Sequence, residues 1–178
     1  LMTTGISNNI IGALAGDALT TGNNNVAIGV SSLSAETEGN KNIAIGTNTL
    51  SSQNNTSDTD AYNVAIGHNT GLSITTGPYN TLIGAFSGDA LTDGDNNATL
   101  GYSSLSSETR GNRNVAIGAY ALLNQNNTSD TDVYNVAVGY EAGKNITTGA
   151  KNVILGGLAG DALTTGDNNI AIGINALG

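Results

Sequence analysis

The sequence predicts an all-β protein, a parallel β-solenoid of about ten coils that forms one domain over residues 1–178. Three observations lead to this prediction. A five-residue unit of the form Asn-apolar-small-apolar-Gly recurs ten times, as in Asn63–Gly67 and Asn169–Gly173. Its closing glycines follow one another at an interval in residue number of either 17 or 21, a period typical of repeat architectures. The chain also includes 25 glycines and 26 asparagines, too many for a helical protein.

The coils are grouped into a larger repeat. Four coils make one super-repeat, so that Gly84 and Gly156 occupy the place of Gly12, and residues 31–67 agree with residues 103–139 at 26 of 37 positions. Both ends of the chain fall inside the repeat, so we expect a slice of a longer fibre. The closing glycines that define the coils are Gly12, Gly29, Gly46, Gly67, Gly84, Gly101, Gly118, Gly139, Gly156 and Gly173.

The composition leaves little material for an ordinary globular core. Charged residues make up 11% of the chain, whereas globular domains average about 25%. The net charge of −9 argues against nucleic acids and anionic membranes as partners, because both bind clustered basic residues. Cysteine is absent, which excludes disulfides and thiolate metal sites. No apolar run reaches the roughly 18 residues of a membrane span, so we expect no membrane insertion.

The strand in each unit is apolar on both faces. Alternate residues of a strand share a face, so Val64 and Ile66 form one face and Ala65 belongs to the other. Strands of this kind are usually buried on both faces, which predicts that one face fills the coil and the other packs against further chains. We expect a parallel homotrimer, packed or intertwined, whose axis is lined by the middle residues. The large ones return every fourth coil as axial packing residues: Ile10, Leu82 and Ile154.

An asparagine opens every unit. Stacked coils lie about 4.8 Å apart, a spacing at which amide side chains can hydrogen-bond to identical neighbours. We therefore interpret this column as a structural ladder and not as a ligand site. After Asn8 in the first unit it consists of Asn25, Asn42, Asn63, Asn80, Asn97, Asn114, Asn135, Asn152 and Asn169.

Two further positions mark bends of the coil. Four residues past each closing glycine the residue is only ever Gly or Leu, as at Gly88 and Leu105, which predicts a corner where leucine fills the interior or glycine lets the backbone turn. A second glycine stands three residues before the ladder asparagine in eight coils, and a turn with positive φ would explain it. These turn glycines are Gly5, Gly22, Gly39, Gly77, Gly94, Gly111, Gly149 and Gly166.

Two coils carry four extra residues, within Gln53–Asp60 and Gln125–Asp132. The carboxylates at Asp58/Asp60 and Asp130/Asp132 stand beside amide oxygens, and Ca²⁺ prefers such ligands. Ca²⁺ takes six to eight oxygens, however, and no EF-hand or glycine-rich nonapeptide motif is present. We interpret the insertions as polar side loops, with calcium binding as the open alternative.

Aromatic and basic residues gather immediately before the ladder asparagine, where neighbouring coils would stack them into an exposed stripe with cation–π contacts. The stripe is expected to stabilise the surface, and a carbohydrate could also use it. Its members are Lys41, Tyr62, Tyr79, Arg113, Tyr134 and Lys151.

No combination of residues indicates catalysis. His68 is the only histidine, and Tyr140 replaces it in the next super-repeat. Asp17, Asp89 and Asp161 recur four coils apart, about 19 Å at one strand spacing per coil, which is too far for a carboxylate pair. The glycines are periodic and do not form a phosphate-binding loop followed by a helix. We expect no enzyme activity, no cofactor and no metal.

The repeat resembles two groups of fibrous proteins. The units Asn25–Gly29, Asn63–Gly67 and Asn114–Gly118 resemble the head repeats of YadA-type trimeric autotransporter adhesins. The longer phrase Thr164–Gly173 is similar to repeat arrays of phage tail-fibre proteins. The resemblance implies a left-handed parallel β-roll with three chains around an axis. The coils here are longer than those of the adhesin heads, which favours the fibre.

These observations lead to a structural function as the first expectation. The chain is expected to be a shaft segment of a homotrimeric viral tail fibre, located in the virion, that spaces or presents a receptor-binding tip. The alternative is a bacterial surface adhesin that binds a host glycan or protein through its loops and the Tyr/Lys/Arg stripe. An ice-binding solenoid is a third hypothesis, suggested by threonine pairs such as Thr75-Thr76, although the pairs recur irregularly.

Overall fold

The computed structural model describes residues 3–178 as a solenoid in which each repeat unit forms one short strand. None of these residues is helical. The all-β parallel solenoid of about ten turns predicted from the repeat is confirmed. The strands are β1 (Asn9–Ile11), β2 (Val26–Ile28), β3 (Ile43–Ile45), β4 (Val64–Ile66), β5 (Thr81–Ile83), β6 (Ala98–Leu100), β7 (Gly111–Asn112), β8 (Val115–Ile117), β9 (Thr131–Asp132), β10 (Val136–Val138), β11 (Val153–Leu155) and β12 (Ile170–Ile172).

Ten of these strands form one parallel sheet in the order β1-β2-β3-β4-β5-β6-β8-β10-β11-β12. The register pairs equivalent residues of successive units, so that Ala27 lies beside Ala44 and Ala44 beside Ala65. The longer coils keep this register because their extra residues lie outside the main sheet. There, β7 and β9 form a separate parallel pair, and an isolated bridge joins Asn40 and Asp60 at the equivalent place.

The middle residue of each strand points into the coil, which corrects the expected trimer axis. Leu82 and Ile154 are fully buried within the chain, and Ile10 packs partly buried against the same core. These three side chains therefore fill the coil and cannot line an axis between chains. The first and third residues of each strand form the outer face of the sheet instead.

The corner residues explain why a large middle residue is accepted every fourth coil. Ile10, Leu82 and Ile154 each stand in a coil whose corner is glycine, and a Cβ built on that glycine would lie 3.0–3.2 Å from the large side chain. A leucine corner therefore excludes a large middle residue, and at Leu33 and Leu50 the middle residue is alanine. The corner glycines of these three coils are Gly16, Gly88 and Gly160.

Two coils have a small residue at both positions, and their neighbours fill the space. In the coil of Ala65 and Gly71, a Cβ on the glycine would lie 2.9 Å from Leu50 Cδ2 of the preceding coil and 3.1 Å from Leu82 Cδ1 of the next. Ile74 of the same coil approaches to 3.1 Å. Bulky side chains are thus shared between coils, which keeps the interior closely packed along the stack.

The corner backbone is left-handed whether or not it is glycine. Leu33, Leu105 and Gly88 have φ of 52°, 54° and 56°. The residue before each ladder asparagine is also left-handed, as at Tyr79 with φ 61°. In all, 25 non-glycine residues of the described chain have positive φ, whereas only a few per cent of non-glycine residues normally do.

The predicted positive φ does not explain why glycine occupies the turn positions. Gly22 and Gly77 are not in the positive-φ region, so a left-handed turn does not explain them. A Cβ on Gly22 would lie 2.4 Å from the carbonyl oxygen of Gly39, and one on Gly77 would lie 2.3 Å from that of Gly94. The close approach of the next coil excludes any side chain there.

We expect Gly84→Ala to destabilise the solenoid much more than Gly173→Ala. Both glycines are left-handed, with φ of 125° and 120°, but a Cβ on Gly84 would lie 2.4 Å from the oxygen of Gly101, and one on Gly173 meets nothing within 4 Å. The backbone strain is common to the two variants, so their difference reports the clash between coils, which costs about 1–3 kcal/mol. Thermal melts followed by circular dichroism measure it. Equal melting temperatures would contradict the close-approach explanation.

Candidate functional site

The ladder asparagines hydrogen-bond between coils, and those from Asn25 to Asn152 are buried while Asn169 is half-buried. The Oδ1 of Asn25 accepts from the backbone N–H of Asn42 at 2.9 Å, and its Nδ2 donates to the carbonyl oxygen of Gly39 at 2.9 Å. Direct amide–amide bonds also occur, as between Asn42 Nδ2 and Asn25 Oδ1 at 3.2 Å. The bond from the backbone N–H of the next ladder asparagine to Oδ1 recurs at every step from Asn8 to Asn169. The column links neighbouring coils, and these buried side chains present no surface to a ligand.

The two insertions begin inside the coil, where they complete a buried polar network that the sequence analysis missed. Glu36 is fully buried, and its Oε2 accepts from Gln53 Nε2 at 2.8 Å and from Asn55 Nδ2 at 2.9 Å. Its Oε1 accepts from backbone N–H groups, including that of Gly39 at 2.8 Å. The carboxylate replaces the leucine or isoleucine of other coils and fixes the insertion to the coil before it. Glu108 repeats the arrangement with Gln125 and Asn127.

The carboxylates proposed as calcium ligands bond to the preceding coil. Asn40 Nδ2 donates to Asp58 Oδ1 at 2.5 Å, and Lys41 Nζ lies 2.6 Å from Asp60 Oδ2. This hydrogen bond from Lys41 lowers the pKa of the Asp60 carboxyl below its usual value. Within residues 3–178 no group of three or more acidic or histidine side chains is placed to hold a metal ion. The second insertion repeats both contacts, through Asn112 to Asp130 and Arg113 to Asp132.

The outer face of the main sheet is an apolar surface that runs along all ten strands of that sheet. It presents the first and third residues of ten strands, and 18 of these 20 positions are apolar while none is charged. Ile11 and Ile172 at the ends remain 63% and 66% exposed, and Leu100 in the middle is 49% exposed. We call this surface the apolar face. Large contiguous apolar surfaces are typical of interaction sites, which makes this face the candidate site of the chain.

One border of the apolar face carries the predicted stripe of aromatic and basic residues. It lies directly before the ladder asparagine, and we call it the N-side column. Tyr62 and Tyr79 stack with centroids 5.9 Å apart, and Lys41 Nζ lies 4.9 Å from the centroid of Tyr62. Arg113 lies over Tyr134 at 5.6 Å. The members are Ser7, Asn24, Lys41, Tyr62, Tyr79, Asn96, Arg113, Tyr134, Lys151 and Asn168.

The opposite border carries a second aromatic column, which the sequence analysis missed. Five rings follow each other edge to face with centroids 5.4–6.1 Å apart, from His68 through Tyr140. The bulky residue alternates between the first and second position after the closing glycine from coil to coil. Either sequence position taken alone therefore contains only half of the column's residues. This C-side column consists of Leu14, Val30, Asn48, His68, Phe86, Tyr102, Tyr120, Tyr140, Leu158 and Ile174.

The threonine positions show more order than the sequence analysis found. The first threonine of each pair belongs to a column in which the hydroxyl donates to the next coil, as from Thr20 to the oxygen of Thr37 at 3.0 Å and from Thr92 to that of Thr109 at 3.0 Å. These hydroxyl groups donate hydrogen bonds between neighbouring coils, so the column forms a second ladder. Asn54 and Asn126 occupy this position before the insertions and accept from Thr37 and Thr109.

The histidine and the recurring aspartates weighed for catalysis lie apart from one another in residues 3–178. His68 packs against Phe86 at 5.5 Å within the C-side column. Residues 3–178 enclose no pocket. Asp89 is half-buried, its Oδ1 is buried without a hydrogen-bond partner, and this desolvation raises the pKa of its carboxyl. Its equivalents Asp17 and Asp161 lie four coils away on either side, so these three carboxylates do not pair with one another.

We expect Glu36→Gln to lower the free energy of unfolding by about 1–3 kcal/mol, the cost of an unsatisfied buried polar group. The amide would present an N–H₂ to groups that all donate, including Gln53 Nε2 and the N–H of Gly39. Glu38→Gln, two residues away and half-buried, is the matched control. Denaturant titration of both variants measures the difference, and equal stabilities would contradict the network's importance.

We expect Asp89→Ser to raise the melting temperature at pH 7, because serine occupies the equivalent position at Ser34, Ser51 and Ser106. The pKa of Asp89 is raised in the folded chain, so its charged form weakens folding above that pKa. Once the pH falls below the ordinary carboxyl pKa, the group is protonated in both states and the gain disappears. Melts of Asp89→Ser and the control Asp161→Ser between pH 3 and about pH 7 test this. A gain that is the same at every pH would contradict it.

No protein-family model, no curated protein and no solved structure matches the chain. In the part of the chain that the structure describes, no helix is long and apolar enough to cross a membrane. The basis for a function is therefore the apolar face and the two columns that border it.

Proposed function

We propose that the chain is a structural shaft segment of a homotrimeric fibre, of the viral tail-fibre type, that spaces or presents a receptor-binding tip. The observation that carries this proposal is the apolar face, which runs over all ten coils without a charged residue in a chain of net charge −9. Acidic residues are thus excluded from one surface and allowed elsewhere. Such selection is expected where the surface is buried in an assembly.

The period of the apolar face favours further copies of the same chain as its partner. Each rung offers the same residue types at a spacing of about 4.8 Å, so a partner must rise by the same step to cover every rung. A parallel copy does so without adjustment. The face is only two side chains wide, so three copies around one axis can enclose it with six columns of mainly Val, Ile and Leu.

The shaft role follows from the same dimensions. Ten rungs of about 4.8 Å give a segment on the order of 50 Å long, braced at each step by the asparagine and threonine ladders. We propose no catalytic role, because the regular spacing of the repeat places structural groups and no reacting groups side by side. The viral setting rests on the resemblance of Thr164–Gly173 to tail-fibre arrays.

A bacterial surface adhesin is the second candidate. It is favoured by the exposure of Tyr62 and Tyr79, which are 46% and 53% exposed and stack beside Lys41. A sugar ring can pack on such a platform. A glycan array tests this candidate: binding that Tyr62→Ala and Tyr79→Ala remove would support it, and no binding by the intact chain would contradict it.

We expect the parent chain to show three times its monomer mass of 17.8 kDa in light scattering, and Ile45→Asp to prevent assembly. Ile45 is the third residue of β3 and lies on the apolar face. Burying one isoleucine contributes about 1.5–3 kcal/mol, and the variant would place three carboxylates in one dry layer. Ser52→Asp, on an exposed position away from the sheet, is the control and should assemble normally. A monomeric parent chain would contradict the proposal.

A further inference from the structure

Every aromatic residue of the chain lies on a border of the apolar face. The sequence has six tyrosines, one phenylalanine and no tryptophan. Three of the tyrosines belong to the N-side column, and the other three, with Phe86, belong to the C-side column. The coil interior contains none of them. Aromatic side chains are normally drawn to a core, so their placement at these two borders indicates that the borders are buried in the assembled protein.

The two borders differ in chemistry. The N-side column holds three of the five basic residues of the chain, Lys41, Arg113 and Lys151. The C-side column holds rings and aliphatic groups, with Glu141 beside Tyr140 and Lys144 Nζ 5.9 Å from the centroid of the Tyr120 ring. Aromatic rings attract cations over their faces, and arginine and tyrosine are enriched where protein chains meet. Lys41 and Arg113 lie over rings of their own column, and the N-side column as a whole can also offer cations to the rings of a C-side column.

The symmetry of a parallel assembly brings unlike borders together. Rotation of one copy about the fibre axis keeps each coil at its own height and places the N-side column of one copy beside the C-side column of the next. A three-fold arrangement needs such a heterologous contact, since each copy uses two different surfaces. The columns run along the whole sheet, so the contact is repeated at each coil.

We propose that these two columns form the seam between neighbouring chains, with the N-side column of one copy packed against the C-side column of the next. This inference rests on the proposed homotrimer. The partner at the seam is a second copy of this chain in parallel orientation. Cations of the N-side column extend over rings of the neighbouring copy, and the seam closes the apolar face from water on both sides.

The alternation within the C-side column suits this role. Bulky residues stand at the first position after the closing glycine in one coil and at the second in the next, as with Tyr102 and Tyr120. These two rings make an edge-to-face contact with centroids 5.4 Å apart. Ring faces and ring edges therefore alternate along the column, on the side that a neighbouring chain would contact. A neighbouring column of side chains can insert between them.

Cross-linking tests the seam directly, because the chain contains no cysteine. We choose Asn96→Cys in the N-side column and Tyr102→Cys in the C-side column of the β6 coil, both exposed in the single chain. Within one copy the two positions are six residues apart, at most about 20 Å if fully extended, and a link between them would leave the mass of a monomer on a denaturing gel. A covalent dimer or trimer formed by a short bismaleimide must therefore join different copies.

The double variant should give covalent dimers and trimers, with the trimer as the largest product on a denaturing gel. Each single variant should stay monomeric on the gel, since like columns do not meet. The pair Thr92→Cys with Tyr102→Cys is the control: Thr92 lies about halfway round the coil from the sheet and should give no product between chains.

Light scattering of the uncross-linked parent separates the two proposals. A trimeric mass without covalent product from the double variant, or with equal product from the single variants, would overturn the seam and leave the trimer standing. A monomeric mass would overturn both. Binding of a glycan to the intact trimer through Tyr62 or Tyr134 would also overturn the seam, because the seam covers those rings.

Discussion

The close approach of successive coils is the constraint on which the rest of the structure depends. A Cβ on Gly46 would lie 2.2 Å from the carbonyl oxygen of Gly67. Successive coils can therefore reach this spacing only if the residue at the contact is glycine. The described chain has 25 left-handed non-glycine residues, and this conformation costs a residue with a Cβ roughly 1–2 kcal/mol. Hydrogen bonds to the coils on either side, through the asparagine and threonine ladders, hold the backbone in this form.

The periodic features of the fold could be predicted from the sequence, because each reports a step that every coil repeats. The number of coils, the strand positions and the asparagine column all follow from the spacing of closing glycines. Which face of the strand lies inside could not be predicted from alternation, since both faces are apolar. The inner face can be recognised from the side-chain volumes of the middle strand residue and the corner residue of the same coil. Where the middle residue is large, as Leu82, the corner is Gly88, and where it is small, as Ala44, the corner is Leu50.

The features that sequence reasoning missed depend on partners from different coils. Glu36 looks like any surface acid until Gln53 and Asn55 of the next coil surround it with donors. The C-side column is hidden because its rings occupy two alternating positions. In both cases a residue's environment is set by neighbours one whole coil away, and no local pattern announces it.

The two-coil alternation of the C-side column has a consequence for how the shaft can change its length. Removing or duplicating a single coil would place two like coils side by side, so that bulky residues meet in one layer and leave a gap in the next. The corner residues and the Glu36-type networks vary over four coils and add a stricter rule. The array can grow or shrink without internal mismatch only by whole super-repeats of four coils. The length of the shaft can therefore change only in increments of about 19 Å, the height of one super-repeat.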